Sequence, residues 1–132
     1  MPRSTHRASI RFQDVDAAGI MFFARVFDLF HDAFVAHLRA HGVRLDEVLK
    51  ARVWGAPLVH VEADYARPLS FADEVDIEVD LAARGETSIT LSYVVSRRGD
   101  VCVRGVTKHA FIDRTTGRPR PIPPEIDAAF SP

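Results

Sequence analysis

The alternation of polar and apolar residues predicts a strand near the start of the chain. From His6 to Gln13 every second residue is apolar, which places Ala8, Ile10 and Phe12 on one face. A period of two is typical of a strand with one buried face. Residues 14–19 break the alternation, so we expect the strand to end in a loop there.

A helical pattern follows this loop. Large apolar residues recur three or four positions apart, which is the spacing of one helix face. These residues are Phe23, Phe27, Phe30, Phe34 and Leu38. Charged residues fall on the opposite side, namely Arg25, Asp28, Asp32 and Arg39. Glycine commonly follows the last helical turn, so we predict that the helix ends at His41-Gly42.

Strand patterns dominate the chain from Pro57 onward. They cover residues 59–65, 74–81, 89–95 and 101–112, and residues 125–130 suggest one closing helical turn. Strand, long helix and four further strands predict an α+β fold, in which an antiparallel sheet of about five strands wraps around one long central helix. A single sheet has open edges, so we expect pairing with another copy, as a homodimer at least.

Composition narrows the class of protein. The length of 132 residues suits one domain over residues 1–132, and a net charge of −1 argues against a nucleic-acid partner. Cys102 is the single cysteine, which fits a reducing compartment. The longest apolar run, 17–24, is too short to span a membrane, and residues 1–11 lack the apolar centre of a signal peptide. We therefore expect a cytoplasmic protein.

The loop before the helix has the composition of a hydrolytic site. Asp14 and Asp16 stand two residues apart, and Gly19 and a run of apolar residues follow them. The first N–H groups of a helix can stabilise negative charge on a carbonyl oxygen, while a carboxylate beside them attacks the carbonyl or deprotonates water. This arrangement suits hydrolysis of an activated acyl compound. The alternative is structural: either aspartate could cap the helix, and the aromatic run could be core.

The same segment resembles a known family. Phe12-x-Asp14-x-Asp16-x-x-Gly19-Ile20-x-Phe22-Phe23 is similar to the signature of the 4-hydroxybenzoyl-CoA thioesterases, which have the hotdog fold. The segments His31-Asp32-Ala33-Phe34 and Pro57-Leu58-Val59-His60-x-x-x-Asp64-Tyr65-x-x-Pro68 extend the similarity, and the spacing resembles that of 1,4-dihydroxy-2-naphthoyl-CoA thioesterases. The similarity covers the chain from His6 to about Pro123.

The resemblance implies a role for several residues of this loop. Asp16 corresponds to the catalytic carboxylate, as nucleophile or general base, and the backbone N–H of Phe23 to the oxyanion donor. Gly19 permits close approach of the thioester, whereas Asp14 holds the loop. Departures from the pattern, with Phe22 and Phe23 in place of tyrosine or tryptophan and no asparagine in 24–26, affect contacts to the acyl group.

The implied reaction is hydrolysis of an acyl-CoA to free acid and CoA without a cofactor. An aromatic acyl group is the first expectation. A short-chain aliphatic acyl group, or binding of acyl-CoA without catalysis, remains as the alternative. Ile20 and Phe22 are expected to contact the substrate, and His31 and His60 to border the site. The site is expected between the subunits of a homodimer or homotetramer.

Basic residues at strand ends are candidates for the CoA phosphates. We expect Arg84, Arg97 and Arg98 to serve, with Lys108, Arg118 and Arg120 as further possibilities. His37 and His41 would share a helix face, but the sequence offers no third ligand near them, so no metal is expected. Cys102 lies between valines in a predicted strand and is interpreted as an inert core residue.

Overall fold

Five antiparallel strands form the main sheet. The computed structural model describes residues 4–132, so the first three residues of the basic N-terminal stretch lie outside it. The sheet order is β1-β4-β5-β6-β3, and a separate two-stranded pair joins β2 and β7. The strands are β1 (Ser4–Ser9), β2 (Trp54–Gly55), β3 (Leu58–Tyr65), β4 (Glu74–Arg84), β5 (Ser88–Arg97), β6 (Asp100–Ala110) and β7 (Ile112–Asp113). The predicted α+β fold with a five-stranded sheet is confirmed.

The long helix α1 (Val26–Ala40) packs on one face of this sheet. The ring of Phe30 stacks on Tyr93 of β5 with centroids 4.4 Å apart. It also lies over Gly105 of β6, where an added Cβ would come within 2.2 Å of the Phe30 ring. The helix can therefore approach the sheet this closely only because position 105 is glycine.

Three smaller elements complete the fold. The helix α3 (Pro124–Ala129) matches the predicted closing turn, whereas α2 (Leu45–Ala51) was not expected. The predicted strand over 101–112 is two strands, because Ile112–Asp113 leaves the main sheet and pairs with Trp54–Gly55. A pairing of two residues is too short to leave a periodic signal in the sequence.

Two phenylalanines assigned to the core lie at the surface. β1 ends at Ser9, and Phe12 sits 76% exposed in a 3₁₀ turn (Phe12–Asp14) rather than on the strand. Phe23 begins a second 3₁₀ turn (Phe23–Arg25) and is 62% exposed. Val26 takes its place on the buried face of α1, since positions 26, 30 and 34 are four residues apart and all buried.

The two edges of the sheet differ in polarity. The β1 edge carries Arg7, whose guanidinium pairs with Glu74 at 3.5 Å and Asp76 at 3.3 Å. The β3 edge exposes apolar side chains, Val59 by 57%, Val61 by 42% and Tyr65 by 45%. The alternation predicted for β3 is present, but within one chain its apolar face stays uncovered. Within residues 4–132, no helix has the length and apolar content needed to cross a membrane.

Candidate active site

The loop between β1 and α1 is a compact hairpin rather than an open coil. Val15 and Met21 form an antiparallel bridge, and Asp16 N–H donates to the Ile20 carbonyl at 3.0 Å. The tip is closed by Gly19 N–H donating to the Asp16 carbonyl, also at 3.0 Å. Gly19 has a φ of +80°, a left-handed conformation that favours glycine, so this residue permits the tight tip.

The carboxylate of Asp14 holds the base of this hairpin. Asp14 is buried and accepts hydrogen bonds from the backbone N–H of Arg11 at 2.9 Å and from its guanidinium at 3.1 and 3.2 Å. Burial by itself raises the pKa of the Asp14 carboxyl. The hydrogen bonds from Arg11 outweigh burial, so the pKa lies below its ordinary value and the group stays ionised.

Asp16 lies two residues further along, in a different environment. Its side chain is exposed, and within residues 4–132 it accepts one hydrogen bond, from Ala18 N–H at 2.8 Å. No side chain caps the start of α1, so the interpretation of either aspartate as its cap is wrong. The carboxylate of Asp16 is oriented by its own turn and keeps lone pairs available to solvent or substrate.

The backbone at the start of the helix offers a donor. Arg25 N–H donates to the Phe22 carbonyl at 2.9 Å, whereas Phe23 N–H donates no hydrogen bond within residues 4–132. The Phe23 carbonyl accepts a hydrogen bond from the phenol of Tyr65 on β3. Partial burial raises the pKa of this phenol, which keeps it protonated as a donor. Tyr65 therefore ties the turn before α1 to the sheet through the Phe23 carbonyl, and the Phe23 N–H stays unpaired within residues 4–132.

Three of the four apolar residues in the run 20–23 are exposed, whereas Met21 is buried in the core. Ile20 is 40%, Phe22 47% and Phe23 62% exposed, and the rings of Phe22 and Phe23 contact each other with centroids 4.8 Å apart. Exposed apolar clusters of this kind mark interaction sites. In a single chain the loop is therefore open to water.

A cavity of about 230 Å³ opens beside the hairpin. It is lined by Ile20, Met21, Tyr65, Ala66, Arg67, Pro68, Leu69 and Val103. We name it the loop cavity. Tyr65 and Arg67 were not singled out as site residues, although the resemblance included the segment that holds them. In the sequence, the feature that could have indicated this residue is a tyrosine at the end of a predicted strand. In the structure its phenol contacts the start of the helix.

Comparison with known proteins identifies the family of the chain. Residues 10–130 match the thioesterase-like superfamily. The chain belongs to this superfamily. A 1,4-dihydroxy-2-naphthoyl-CoA hydrolase of Nostoc punctiforme is 30% identical over 122 residues, which are 92% of this chain and 82% of the relative.

Two solved thioesterase structures have the same fold as this superfamily member. A 1,4-dihydroxy-2-naphthoyl-CoA thioesterase from Synechocystis superposes with a TM-score of 0.91 at 20% identity, covering 97% of this chain and 95% of the other. A gentisyl-coenzyme A thioesterase gives a TM-score of 0.88 at 26% identity, covering 97% and 100%. The family resemblance inferred from the sequence is confirmed.

The arginines expected to bind CoA phosphates lie at two ends of the thioesterase-like fold. Arg97 and Arg98 are near the turn between β5 and β6, at the end of the sheet where Tyr65 pairs with Val103. Arg97 is engaged by Asp73 at 2.7 Å, whereas Arg98 is exposed. Arg84 lies at the opposite end and pairs with Asp127 at 3.0 Å. Of these three side chains, only Arg98 forms no ion pair within residues 4–132.

The histidines fall into three environments. His60 is exposed on the β3 edge, 3.0 Å from Glu62, and His31 is exposed on α1 with its ring centroid 6.1 Å from that of His109. His37 is buried, and its Nε2 lies 2.7 Å from the Ala129 carbonyl oxygen, so it ties α1 to α3. Within residues 4–132, no group of three or more potential ligand side chains could hold a metal ion. Cys102 is fully buried, as predicted.

Proposed function

We propose that this protein hydrolyses acyl-CoA thioesters to a free acid and CoA, with an aromatic acyl group. The observation that supports this most is the exposed Asp16 carboxylate on a hydrogen-bonded hairpin that leads into the unpaired N–H of Phe23, in the 3₁₀ turn before α1. Two groups of these kinds are the minimum for acyl transfer to water. Relatives of the chain are named for 1,4-dihydroxy-2-naphthoyl-CoA and gentisyl-CoA. These names favour an aromatic acyl group over a short aliphatic one.

Asp16 supplies the reactive carboxylate in this proposal. As general base it takes a proton from water while the water oxygen attacks the thioester carbon. As nucleophile, its own oxygen attacks and forms a mixed anhydride that water then hydrolyses. In both routes the C–S bond breaks and the CoA thiolate leaves. Phe23 N–H donates to the carbonyl oxygen as it gains negative charge, and Gly19, which lacks a side chain, allows the thioester to approach. No cofactor takes part.

The surroundings of the hairpin hold the substrate. Ile20 and Phe22 contact the acyl-CoA near the thioester, and the loop cavity beside them has room for the end of the pantetheine chain. Arg98, at the same end of the sheet, meets a phosphate of CoA.

We propose that residues 1–132 form one domain located in the cytoplasm.

The proposed active site also requires a second copy of the chain. β3 is an eight-residue edge strand whose apolar face is exposed, whereas charged pairs occupy the opposite edge. Pairing β3 of one protomer antiparallel to β3 of its partner would satisfy both open backbone edges and cover Val59, Val61 and Tyr65. We propose a homodimer built in this way, with a tetramer as a further assembly of dimers.

The test is release of CoA thiol from a panel of acyl-CoAs. The wild type is expected to turn over aroyl-CoAs faster than acetyl- or butyryl-CoA, and Asp16→Asn is expected to lose this activity. Asp46→Asn is the matched control, because Asp46 is also an exposed, hydrogen-bonded aspartate but lies on α2. A wild type that binds these esters without releasing thiol would indicate a binding protein. Undiminished turnover by Asp16→Asn would remove Asp16 from the mechanism.

A further inference from the structure

The segment that connects β3 to β4 contacts the hairpin between β1 and α1. We name this segment the 66–73 loop. Met21 N–H donates to the Leu69 carbonyl at 2.7 Å, and Ile20 forms an antiparallel bridge with Ser70. The Leu69 side chain is buried in the core. The loop therefore connects the second arm of the hairpin to the core of the fold.

The same loop holds the chain that enters the hairpin. Ile10 N–H donates to the Asp73 carbonyl at 2.8 Å, and Ala72 N–H donates to the Ile10 carbonyl at 2.9 Å. Ile10 lies before both aspartates of the hairpin, and the second arm lies after them. Because the 66–73 loop is hydrogen-bonded to the chain on both sides of Asp16, its conformation affects where that carboxylate lies.

One residue of the loop adopts a backbone conformation that its side chain does not favour. Ala72 has a φ of +72°, in the left-handed region where a Cβ is crowded by the backbone. Conformations of this kind persist where surrounding contacts hold them in place. The 66–73 loop therefore depends on bonds from neighbouring elements.

Arg97, the last residue of β5, supplies such bonds. Its Nη1 donates to the Pro68 carbonyl at 3.1 Å and to Oδ2 of Asp73 at 2.7 Å. The same Oδ2 accepts a hydrogen bond from Ser70 N–H at 2.8 Å. One guanidinium nitrogen thus links residues on the two sides of the turn that contains Ala72.

The environment of this ion pair keeps it formed. Arg97 and Asp73 are both partly buried, so water and salt screen their attraction less than that of an exposed pair. Burial by itself raises the pKa of Asp73. Hydrogen bonds from Ser70 N–H and from the Arg97 guanidinium outweigh burial, so the pKa lies below its ordinary value. The carboxylate therefore stays ionised and paired.

We propose that Arg97 is a positioning residue for hydrolysis, which fixes the 66–73 loop and through it the hairpin that presents Asp16. The inference rests on the proposed thioesterase function. The sequence places Arg97 and Arg98 together as candidates for the CoA phosphates, and this assignment separates them. Arg98 contacts the substrate, whereas Arg97 acts through the protein.

Arg97→Gln tests this role through the separation of kcat from KM. With 4-hydroxybenzoyl-CoA as substrate, we expect kcat to fall by about 10-fold because Asp16 is held less firmly, while KM changes by less than about twofold. Arg97→Lys should recover part of kcat, since an ammonium group can still pair with Asp73. Arg7→Gln, which removes an arginine ion-paired on the β1 edge, is the matched control and should keep the wild-type kcat. An unchanged kcat in Arg97→Gln overturns the proposal.

A substrate without phosphates distinguishes positioning from phosphate binding. S-(4-hydroxybenzoyl)pantetheine carries the same thioester but lacks every phosphate group of the CoA ester. Arg97→Gln should lower kcat/KM for both substrates by about the same factor. Arg98→Gln should instead raise KM for the CoA ester and leave hydrolysis of the pantetheine thioester unchanged. An effect of Arg97→Gln that is confined to the CoA ester would make Arg97 a phosphate ligand and overturn the proposal.

Amide hydrogen exchange tests the same connection independently of activity. Met21 N–H is bonded to the Leu69 carbonyl, so its exchange should be about 10-fold faster in Arg97→Gln than in the wild type. The amides in the middle of α1 serve as the internal control and should exchange at the wild-type rate. Unchanged exchange at Met21, or equally faster exchange in α1, would contradict a local positioning role.

Asp73→Asn keeps the test decisive if Arg97→Gln does not fold. The asparagine can still accept the hydrogen bond from Ser70 N–H, but it has no charge to pair with Arg97. We expect the same fall in kcat with KM nearly unchanged, and a wild-type kcat in this variant would overturn the proposal. A wild type without any thiol release would instead overturn the proposed function, while exchange at Met21 would still test the connection between Arg97 and the hairpin.

Discussion

Asp14 and Asp16 are two carboxylates two residues apart, and the fold places them in opposite environments. Asp14 is 3% exposed and receives three hydrogen bonds from Arg11, so its bonding capacity is largely used inside the protein. Asp16 is exposed and receives a single hydrogen bond, from its own turn. The same side chain is therefore a structural anchor at one position and, at the other, an exposed carboxylate that is free to act as the proposed base or nucleophile.

The contrast shows how a small loop combines rigidity with reactivity. Because Asp14 fixes the base of the hairpin and Gly19 closes its tip, Asp16 is held in place without being saturated by hydrogen bonds. A reactive carboxylate needs that combination: its position must be fixed while its lone pairs remain available. The two residues should therefore respond differently to the same substitution.

Asp16→Asn should give the largest effect on activity. The amide has the same shape and can still accept the hydrogen bond from Ala18 N–H, but it cannot serve as base or nucleophile. We expect kcat for aroyl-CoA hydrolysis to fall by about 10²- to 10⁴-fold. The free energy of unfolding, measured by denaturant titration, should change by less than about 0.5 kcal/mol because the side chain is exposed. A large loss of stability would show that Asp16 also anchors the hairpin, and this would contradict the difference between Asp14 and Asp16.

Asp14→Asn should show the reverse pattern. The variant loses a buried, ionised acceptor for the backbone N–H and guanidinium of Arg11. We expect the free energy of unfolding to fall by about 2 kcal/mol, since hydrogen bonds to charged groups contribute about 1.5–3 kcal/mol. Any fall in kcat should be smaller than that of Asp16→Asn.

A double-mutant cycle with Arg11→Gln shows whether the loss at Asp14 comes from this pair. The two substitutions should be non-additive, because each removes the same side-chain contact. Additive losses would place the stabilisation elsewhere in the hairpin.

Much of the fold was accessible from the sequence because its elements bury periodic faces. The β4 and β5 strands and the α1 face alternate or repeat over many residues, and local patterns of that length reflect what the core requires. The hairpin was found through the spacing of its aspartates and glycine. Its residues sit in consecutive positions, so their proximity needs no knowledge of the fold.

The errors have two physical origins, local turns and tertiary contacts. Phe12 and Phe23 fit the apolar periodicity, but each lies in a 3₁₀ turn that directs its ring to the surface. Tyr65 reaches Phe23 from 42 residues away. No local pattern encodes such a distant pairing, so this contact between β3 and the start of the helix could not be predicted from the sequence.

Tyr65→Phe tests how much the Asp16 side of the contrast depends on the helix start. The variant keeps the ring in the loop cavity and removes the hydrogen bond to the Phe23 carbonyl. We expect kcat to fall by about 3- to 10-fold, because the Phe23 N–H is held less firmly, while KM changes little. The variant should be compared with Tyr93→Phe, which removes a buried phenol paired with Thr107 away from the hairpin. A similar loss of kcat in both variants would indicate a general effect on the fold.

Acid titration of stability gives the smallest and most selective test. The pKa of Asp14 is lowered in the folded protein, so the unfolded chain binds this proton more readily. The stabilisation by Asp14 is therefore fully present above the unfolded pKa of about 3.9 and is lost as pH falls through the lowered folded pKa. At neutral pH, wild type should exceed Asp14→Asn in unfolding free energy by at most about 2 kcal/mol. This difference should shrink below about pH 4. A difference in unfolding free energy that stays constant as the pH falls would contradict the role of Asp14 as an ionised anchor.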